Sequence, residues 1–353
     1  MIRVLLVDDS PLALAVLNGL LSRAPDIEVV GTSSNGREAL ALIPRIRPDV
    51  ICTDLHMPVM DGLVFTRTVM ANHALPILLV SVSGRSESKE AFKVLEAGAV
   101  DVFLKPRGLS GADNDAAAKE LASKLRILAG VKVFKRTSHC QGLAAGRAAN
   151  SSPTKTKNAA VRAVVIGAST GGPQALGVIL KQLSPRFPVP IFCVQHISVG
   201  FLRGLIDWLS TQCSLKLETA RSGGIPQPGH VYFAPEDRHL KVDSSGRFEL
   251  SAEPPWEGQR PSVNVTMRSV ADHYGDAALG VLLTGMGSDG AEGLLAIRNA
   301  GGLTIAQEES SCVVFGMPQA AIRMNAAAQV AGLSAIGAIL LLHAQSHAAQ
   351  GVR

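Results

Sequence analysis

Apolar residues in the first 130 positions gather into five short runs, at 4–7, 28–31, 50–53, 77–80 and 102–104. Runs of that length suit strands buried on both faces of a sheet. Between them, at 12–23, 37–46, 63–71, 88–97 and 116–128, apolar residues recur at helical spacing and predict amphipathic helices. Five strand–helix units in alternation predict a doubly wound parallel sheet, an α/β fold that gathers ligands at the carboxyl ends of its strands. The pattern then lapses. Residues 130–160 fill with Ser, Thr, Ala, Asn and Lys and end in Ser151-Ser152-Pro153-Thr154-Lys155-Thr156-Lys157, a composition that predicts a flexible linker. Alternation resumes at Val161 and runs to about residue 345. Short strand-like runs at 215–219, 231–234, 240–242 and 248–251 predict an antiparallel excursion inside a second, Rossmann-like α/β domain. The expected organisation is a first domain at 1–129, a linker at 130–160 and a second domain at 161–353.

Length and composition agree with two domains. A chain of 353 residues exceeds the size at which one core keeps growing. Its 47% hydrophobic content with only 4% aromatics suits aliphatic α/β cores. The net charge of +5 looks basic until it is located. Lys132, Lys135, Arg136, Arg147, Lys155 and Lys157 all lie in the linker, which carries no acidic residue. Removing those six charges from the total leaves the rest of the chain one unit negative. A nucleic-acid role needs a basic face with groups that reach bases, and the pattern supplies none. No apolar run approaches the roughly 20 residues of a membrane span, and the first residues enter a strand pattern rather than a signal-peptide layout. The expectation is a cytoplasmic protein without membrane insertion. Five scattered cysteines, with no CxxC pair, predict reduced thiols rather than disulfides or a zinc site.

Polar residues follow the strand-like runs of the first domain. Asp8 and Asp9 follow the first, Asp54 the third and Lys105 the fifth, while Ser81 closes the fourth. A doubly wound sheet brings such residues to one edge. Clustered carboxylates repel one another unless a cation joins them, and hard oxygen ligands suit Mg²⁺. A lysine and a hydroxyl nearby complete a site for a phosphoryl group carried on one carboxylate. The segments Val7-Asp8-Asp9-Ser10, Thr53-Asp54-Leu55-His56-Met57-Pro58-Val59-Met60-Asp61-Gly62, Val80-Ser81 and Leu104-Lys105-Pro106 resemble the response-regulator receiver domain. That resemblance implies Asp54 as phospho-acceptor, with Asp8, Asp9, Asp54 and the His56 backbone carbonyl holding Mg²⁺. It implies Ser81 and Lys105 as contacts of the phosphoryl group, a histidine kinase as phosphodonor, and Asp61 in the turn after the acceptor loop.

The second domain has the same kind of pattern. Residues 164–173 read as a strand, a glycine-rich turn exposing Ser169, and a helix start; residues 191–196 are an apolar run ending in His196; residues 279–290 run into a small-residue loop holding Asp289. A serine hydroxyl needs a base, and the base needs an anion to fix its tautomer. Ser169, His196 and Asp289 supply these groups, and the glycines beside Ser169 and Met286 leave room for backbone donors to an oxyanion. This points to acyl transfer or hydrolysis. Other readings stay open at this point. The glycine-rich turn could cradle a dinucleotide phosphate, although Gln195-His196 stands where a ribose-binding acid is wanted. Asp289 and Glu292 could form a capping box. His230, His239 and His273 are rival bases that close no apolar run and read as surface or loop residues, and Asp207 reads as a solvated helix-face residue.

The segments Gly167-Ala168-Ser169-Thr170-Gly171-Gly172-Pro173, Val194-Gln195-His196, Arg260-Pro261-Ser262-Val263-Asn264-Val265 and Thr284-Gly285-Met286-Gly287-Ser288-Asp289-Gly290 are similar to the catalytic domain of the chemotaxis protein-glutamate methylesterases, the CheB family. The resemblance implies Ser169 as nucleophile, His196 as general acid/base and Asp289 as its orienting carboxylate, with Thr170 and Met286 on the oxyanion and substrate side. It implies hydrolysis of glutamyl methyl esters on chemoreceptor cytoplasmic domains, release of methanol without a cofactor in that reaction, and receptor glutamine deamidation. Asn264 departs from the family, which has Asp there. A response regulator with DNA-binding output would need a helix-turn-helix after the linker, which the pattern lacks. A phosphorylation-dependent binding regulator with a decayed hydrolase domain is the alternative.

Overall fold

A computed structural model describes residues 1–82, 85–106, 112–131 and 160–345. Most of the expected linker, with its six basic residues, lies outside the described residues. The first set of elements is β1 (Ile2–Val7), α1 (Pro11–Leu21), β2 (Ile27–Ser33), α2 (Gly36–Ile46), β3 (Val50–Thr53), α3 (Gly62–Asn72), β4 (Ile77–Ser81), α4 (Arg85–Ala97), β5 (Asp101–Leu104) and α5 (Ala112–Leu128). The five strands form one parallel sheet in the order β2-β1-β3-β4-β5. Successive side chains of β1 feed opposite cores, Val4 and Leu6 on one face and Leu5 and Val7 on the other, as a strand covered on both sides requires. Helix starts follow local chemistry: Ser10, Asn35 and Asp61 accept from the Ala13, Glu38 and Val64 amides at 3.3, 3.0 and 2.8 Å.

The second set comprises β6 (Ala163–Ala168), α6 (Gly172–Leu180), β7 (Ile191–Gln195), α7 (Leu202–Ser210), β8 (Lys216–Thr219), β9 (His230–Phe233), β10 (His239–Val242) and β11 (Phe248–Ser251). It continues with α8 (Val263–Tyr274), β12 (Ala278–Leu282), α9 (Ala291–Asn299), β13 (Leu303–Gln307), α10 (Met317–Arg323), β14 (Gln329–Ala331) and α11 (Leu333–Gln345). Seven strands form a parallel sheet in the order β14-β13-β12-β6-β7-β9-β8. The antiparallel excursion is smaller than the pattern predicts. Only β10 and β11 pair antiparallel; β8 and β9 pair parallel with each other, and β9 joins β7. The chain reverses its direction of growth at β6, which lies between β7 and β12, and such a switch point opens a crevice at the strand carboxyl ends.

The two sheets share a hydrophobic cluster. It runs from Leu5, Ile51 and Leu79 to Val164, Ile166 and Ile191, and Phe92 of α4 stacks on Trp208 of α7 with ring centroids 5.7 Å apart. No helix among the described residues is long and apolar enough to cross a membrane. Cys52, Cys193, Cys213 and Cys312 are free thiols, and burial pushes Cys52 up to about 12.

Candidate active site

The carboxyl ends of β1 and β3 bring Asp8, Asp9 and Asp54 together, with one oxygen of each lying within 4.8 Å of the others. Asp8 and Asp54 are buried while Asp9 is exposed. Lys105, just past β5, reaches Asp8 Oδ2 at 2.7 Å and Asp54 Oδ1 at 3.0 Å. Burial raises the Asp54 carboxyl above its ordinary value, and Lys105 offsets only part of that. Burial opposes the charge on Lys105, yet its bonds to the two carboxylates hold it above the ordinary lysine value. Ser81, the last residue of β4, is buried and lies in register with Leu104. The His56 side chain points away to Glu90 of α4, 3.3 Å distant. The acceptor loop closes tightly: the Gly62 amide donates to Leu55 O at 2.8 Å, and a Cβ at Gly62 would overlap the Asp54 carbonyl oxygen. Two buried acids against one ammonium, with a third acid in reach, form a donor set that fits a small hard cation.

The second cluster lies at the switch point of the second sheet. Ser169 follows β6, His196 follows β7, and Thr284 to Asp289 follow β12. Asp289 is 4% exposed. Its Oδ2 lies 2.9 Å from His196 Nε2 and accepts from the Val263 amide at 2.7 Å. Its Oδ1 accepts from Ser262 Oγ at 2.8 Å and the Asn264 amide at 2.9 Å. Burial alone would raise this carboxyl. The His196 bond, then the first amides of α8, overcome that and hold it below the ordinary carboxylate value. Ser169, Thr170, His196, Met286 and Asp289 line one cavity of about 690 Å³.

The comparisons with known proteins follow this division. Residues 164–340 match the family model for CheB methylesterase, and residues 4–111 match the response regulator receiver domain. A protein-glutamate methylesterase/protein-glutamine glutaminase of Methanospirillum hungatei is 43% identical over 92% of this chain and 93% of its own. One of Nitrosospira multiformis is 40% identical over 96% of each. This chain belongs to the CheB methylesterase family. The crystal structure of the Thermotoga maritima CheB methylesterase catalytic domain agrees: it is 37% identical, with a TM-score of 0.51, over 52% of this chain and 99% of that one.

In this CheB chain the receiver elements wall the cavity. Leu104 of β5 and Glu120, Ser123 and Lys124 of α5 line it together with Ser169 and His196. Asp101 of β5 accepts from Lys124 Nζ at 2.7 Å and from Thr170 Oγ1 at 2.8 Å on the same oxygen. Met286, between two glycines and 41% exposed, meets Ser123 Oγ through its sulfur at 3.8 Å. Gln174 of α6 donates to Ala99 O at 3.0 Å.

Several residues read differently in three dimensions. Asp289 does not cap its own helix: the α9 cap is Gly290, and Glu292 pairs with Arg268. Asn264 takes the capping role from outside, its Oδ1 accepting from the Gly290 amide at 3.0 Å and the Gly293 amide at 2.7 Å. His239 is neither a surface nor a loop residue. It opens β10, is 1% exposed, and accepts from the Ser262 amide at 3.2 Å, so it braces the serine that holds Asp289. His230 opens β9 beside Tyr232 Oη at 2.8 Å. Asp207, by contrast, is the solvated helix-face residue the pattern predicts, paired with Arg203 one turn away on the α7 surface. Sequence reasoning missed Ser262 and Asp101 as neighbours of the site and set His239 aside as a surface or loop residue; the available signals were the place of Ser262 in the Arg260–Val265 segment that carries the family resemblance and its position just before an apolar helix.

Proposed function

We propose that this chain hydrolyses glutamyl methyl esters on chemoreceptor cytoplasmic domains and that phosphorylation of Asp54 controls access to the catalytic cavity. The regulatory unit is residues 1–129, the catalytic unit 161–353, and residues 130–160 join them. Asp8, Asp9, Asp54 and the His56 carbonyl would hold Mg²⁺, which when bound neutralises charge around the incoming phosphoryl group. Lys105, already against Asp54, would pair with that group, and Ser81 at the next strand end would donate to it. A histidine kinase is the phosphodonor.

The carrying observation is the buried Asp289–His196 bond in the cavity that also holds Ser169. Asp289 engages Nε2, so Nδ1 is the ring nitrogen left to act as base. It takes the Ser169 proton as Oγ bonds to the ester carbonyl carbon. The same proton returns to the methoxide, which leaves as methanol. Water, deprotonated by Nδ1, then cleaves the acyl–Oγ bond and restores the glutamate carboxylate and the serine. A glutamine side chain reaches the same acyl-enzyme with ammonia as leaving group. The Ser169 and Gly285 amides already donate to Thr284 O and Val314 O. Thr170 and Met286, which line the cavity beside Ser169 and which the family resemblance puts on the oxyanion side, would supply the backbone donors for the oxyanion. An intact acid–base–nucleophile set favours this reading over a binding regulator with a decayed hydrolase domain.

The test is methanol release from methylated receptor membranes with and without a small phosphodonor. Ser169→Ala is expected to abolish release, and Asp54→Asn to abolish stimulation while leaving the basal rate. Undiminished release by Ser169→Ala would overturn the catalytic assignment; stimulation that survives Asp54→Asn would overturn the regulatory one.

A further inference from the structure

Gln195 is the last residue of β7, in register with Ala168 at the end of β6. The backbone ladder between these strands closes with one more bond, from the His196 amide to Ala168 O at 2.9 Å. Past that point Ser169 turns away, its own amide donating to Thr284 O on the opposite side. The link between the Ser169 and His196 backbones then comes from a side chain. Gln195 Nε2 donates to Ser169 O and to His196 O, each at 2.8 Å. A carboxamide nitrogen has two hydrogens, and both are used here, one on each residue of the candidate nucleophile–base pair.

The other end of the carboxamide is unusual. Gln195 is 4% exposed, and its Oε1 is buried without a hydrogen-bond partner among the described residues. That oxygen packs against Gly172, where a Cβ would overlap it, at the start of α6. The positive end of the helix tempers the exposed dipole, but an unsatisfied buried acceptor still costs stability. Methionine would fill the same volume without that oxygen, at the loss of the donor to the Ser169 and His196 carbonyls. A fold that keeps a costly polar group keeps it for what its other end does.

We infer that Gln195 is a positioning residue that fixes the distance between Ser169 and His196 by clamping their two carbonyls. This rests on the catalytic reading above. Gln195 does not line the cavity, so it sets the geometry of the reacting pair and leaves receptor binding alone. Displacing reacting groups by about 1 Å costs on the order of 100-fold in rate.

The full-length chain with a small phosphodonor provides the test. In Gln195→Met, kcat for methanol release is expected to fall about 10- to 100-fold, with KM for methylated receptor within about twofold. Labelling of Ser169 by a fluorophosphonate, which needs the serine–histidine pair but no receptor, slows in parallel at temperatures well below Tm. Parent kcat and labelling rate in this variant overturn the inference, as does a lowered Tm with kcat intact below it. Should Gln195→Met fail to fold, Gln195→Glu has the same shape and turns a carboxylate towards both carbonyls; parent rates there refute the clamp equally. Ser169→Ala, run alongside, separates the two levels. Its retained activity would sink the catalytic reading itself, whereas an inactive Ser169→Ala beside a fully active Gln195→Met sinks only the role of Gln195.

Discussion

Asp101→Ala should release the catalytic cavity without phosphorylation. Asp101 stands at the start of β5, its side chain 17% exposed, and one of its oxygens takes both the Thr170 hydroxyl and the Lys124 ammonium. The Thr170 bond joins the first domain to a residue lining the cavity. A hydrogen bond to a charged group contributes about 1.5–3 kcal/mol. The Phe92–Trp208 stack and the Gln174 bonds to Ala99 O and Leu95 O persist in the variant, so closure weakens without being lost. Taking the lower figure, since the mutation also strands Lys124, the closed-to-open ratio falls about tenfold. If closure limits access, basal methanol release rises by about that factor. Stimulation by a small phosphodonor shrinks correspondingly, while the rate of the phosphorylated protein stays at the parent level. A basal rate equal to that of the parent, with stimulation intact, would show that the Asp101–Thr170 contact does not hold the domains closed. A fall in the phosphorylated rate would mean instead that Asp101 supports the catalytic residues directly.

Asp289→Asn keeps the shape of the carboxylate but replaces one acceptor with a donor facing His196 Nε2, which imposes the wrong tautomer. kcat for methanol release is expected to fall about 10³- to 10⁴-fold, as tautomer reversal does in serine–histidine systems, and a loss under tenfold would contradict the assignment. The same residue predicts a pH dependence. Its carboxyl is held below the ordinary value, so its stabilisation is complete above the unfolded-state range near pH 4 and is lost as pH falls through the lower folded value. Urea midpoints of the parent and Asp289→Asn should differ by a constant amount from pH 7 to 5 and converge below pH 4; a gap that widens on acidification reverses the sign. Asn264→Ala removes the acceptor of two α9 amides and should cost about 1–2 kcal/mol by chemical denaturation.

The strands of the first sheet were legible because buried parallel strands are continuous apolar runs. β3 falls where its run predicts, and β4 differs by one residue. β2 extends beyond its run at both ends, since it is an edge strand with a half-exposed pattern. The pairing of β8 and β9 was not legible. A four-residue run carries no mark of parallel or antiparallel partnership, and only ten residues, 220–229, join them. Connections that short ordinarily make hairpins, whereas parallel neighbours need a longer crossover. The candidate site shows the same division. Asp54, Ser169, His196 and Asp289 each follow an apolar run, which local pattern reveals. Ser262 reaches Asp289 across 27 residues and Asp101 reaches Thr170 across 69. Such contacts depend on which strands become neighbours, and nothing in the residue types announces them.

The position of β5 gives the two clusters a physical connection. Only four residues long, it lies at the edge of the first sheet and is paired along one side with β4 alone. Lys105, one residue past its end, holds Asp8 and Asp54; Leu104 lines the catalytic cavity; Asp101, at its start, holds Thr170. Asp101 and Lys105 are therefore about 13 Å apart along one extended segment. A phosphoryl group on Asp54 would add negative charge where Lys105 already bridges two carboxylates, and a shift of that ammonium would reach the residue ending the strand. An edge strand, lacking a second neighbour, yields more readily than a central one. Regulation by this route would need no long relay through the core, because one short strand touches both the Asp8, Asp9 and Asp54 cluster and the threonine beside the candidate nucleophile.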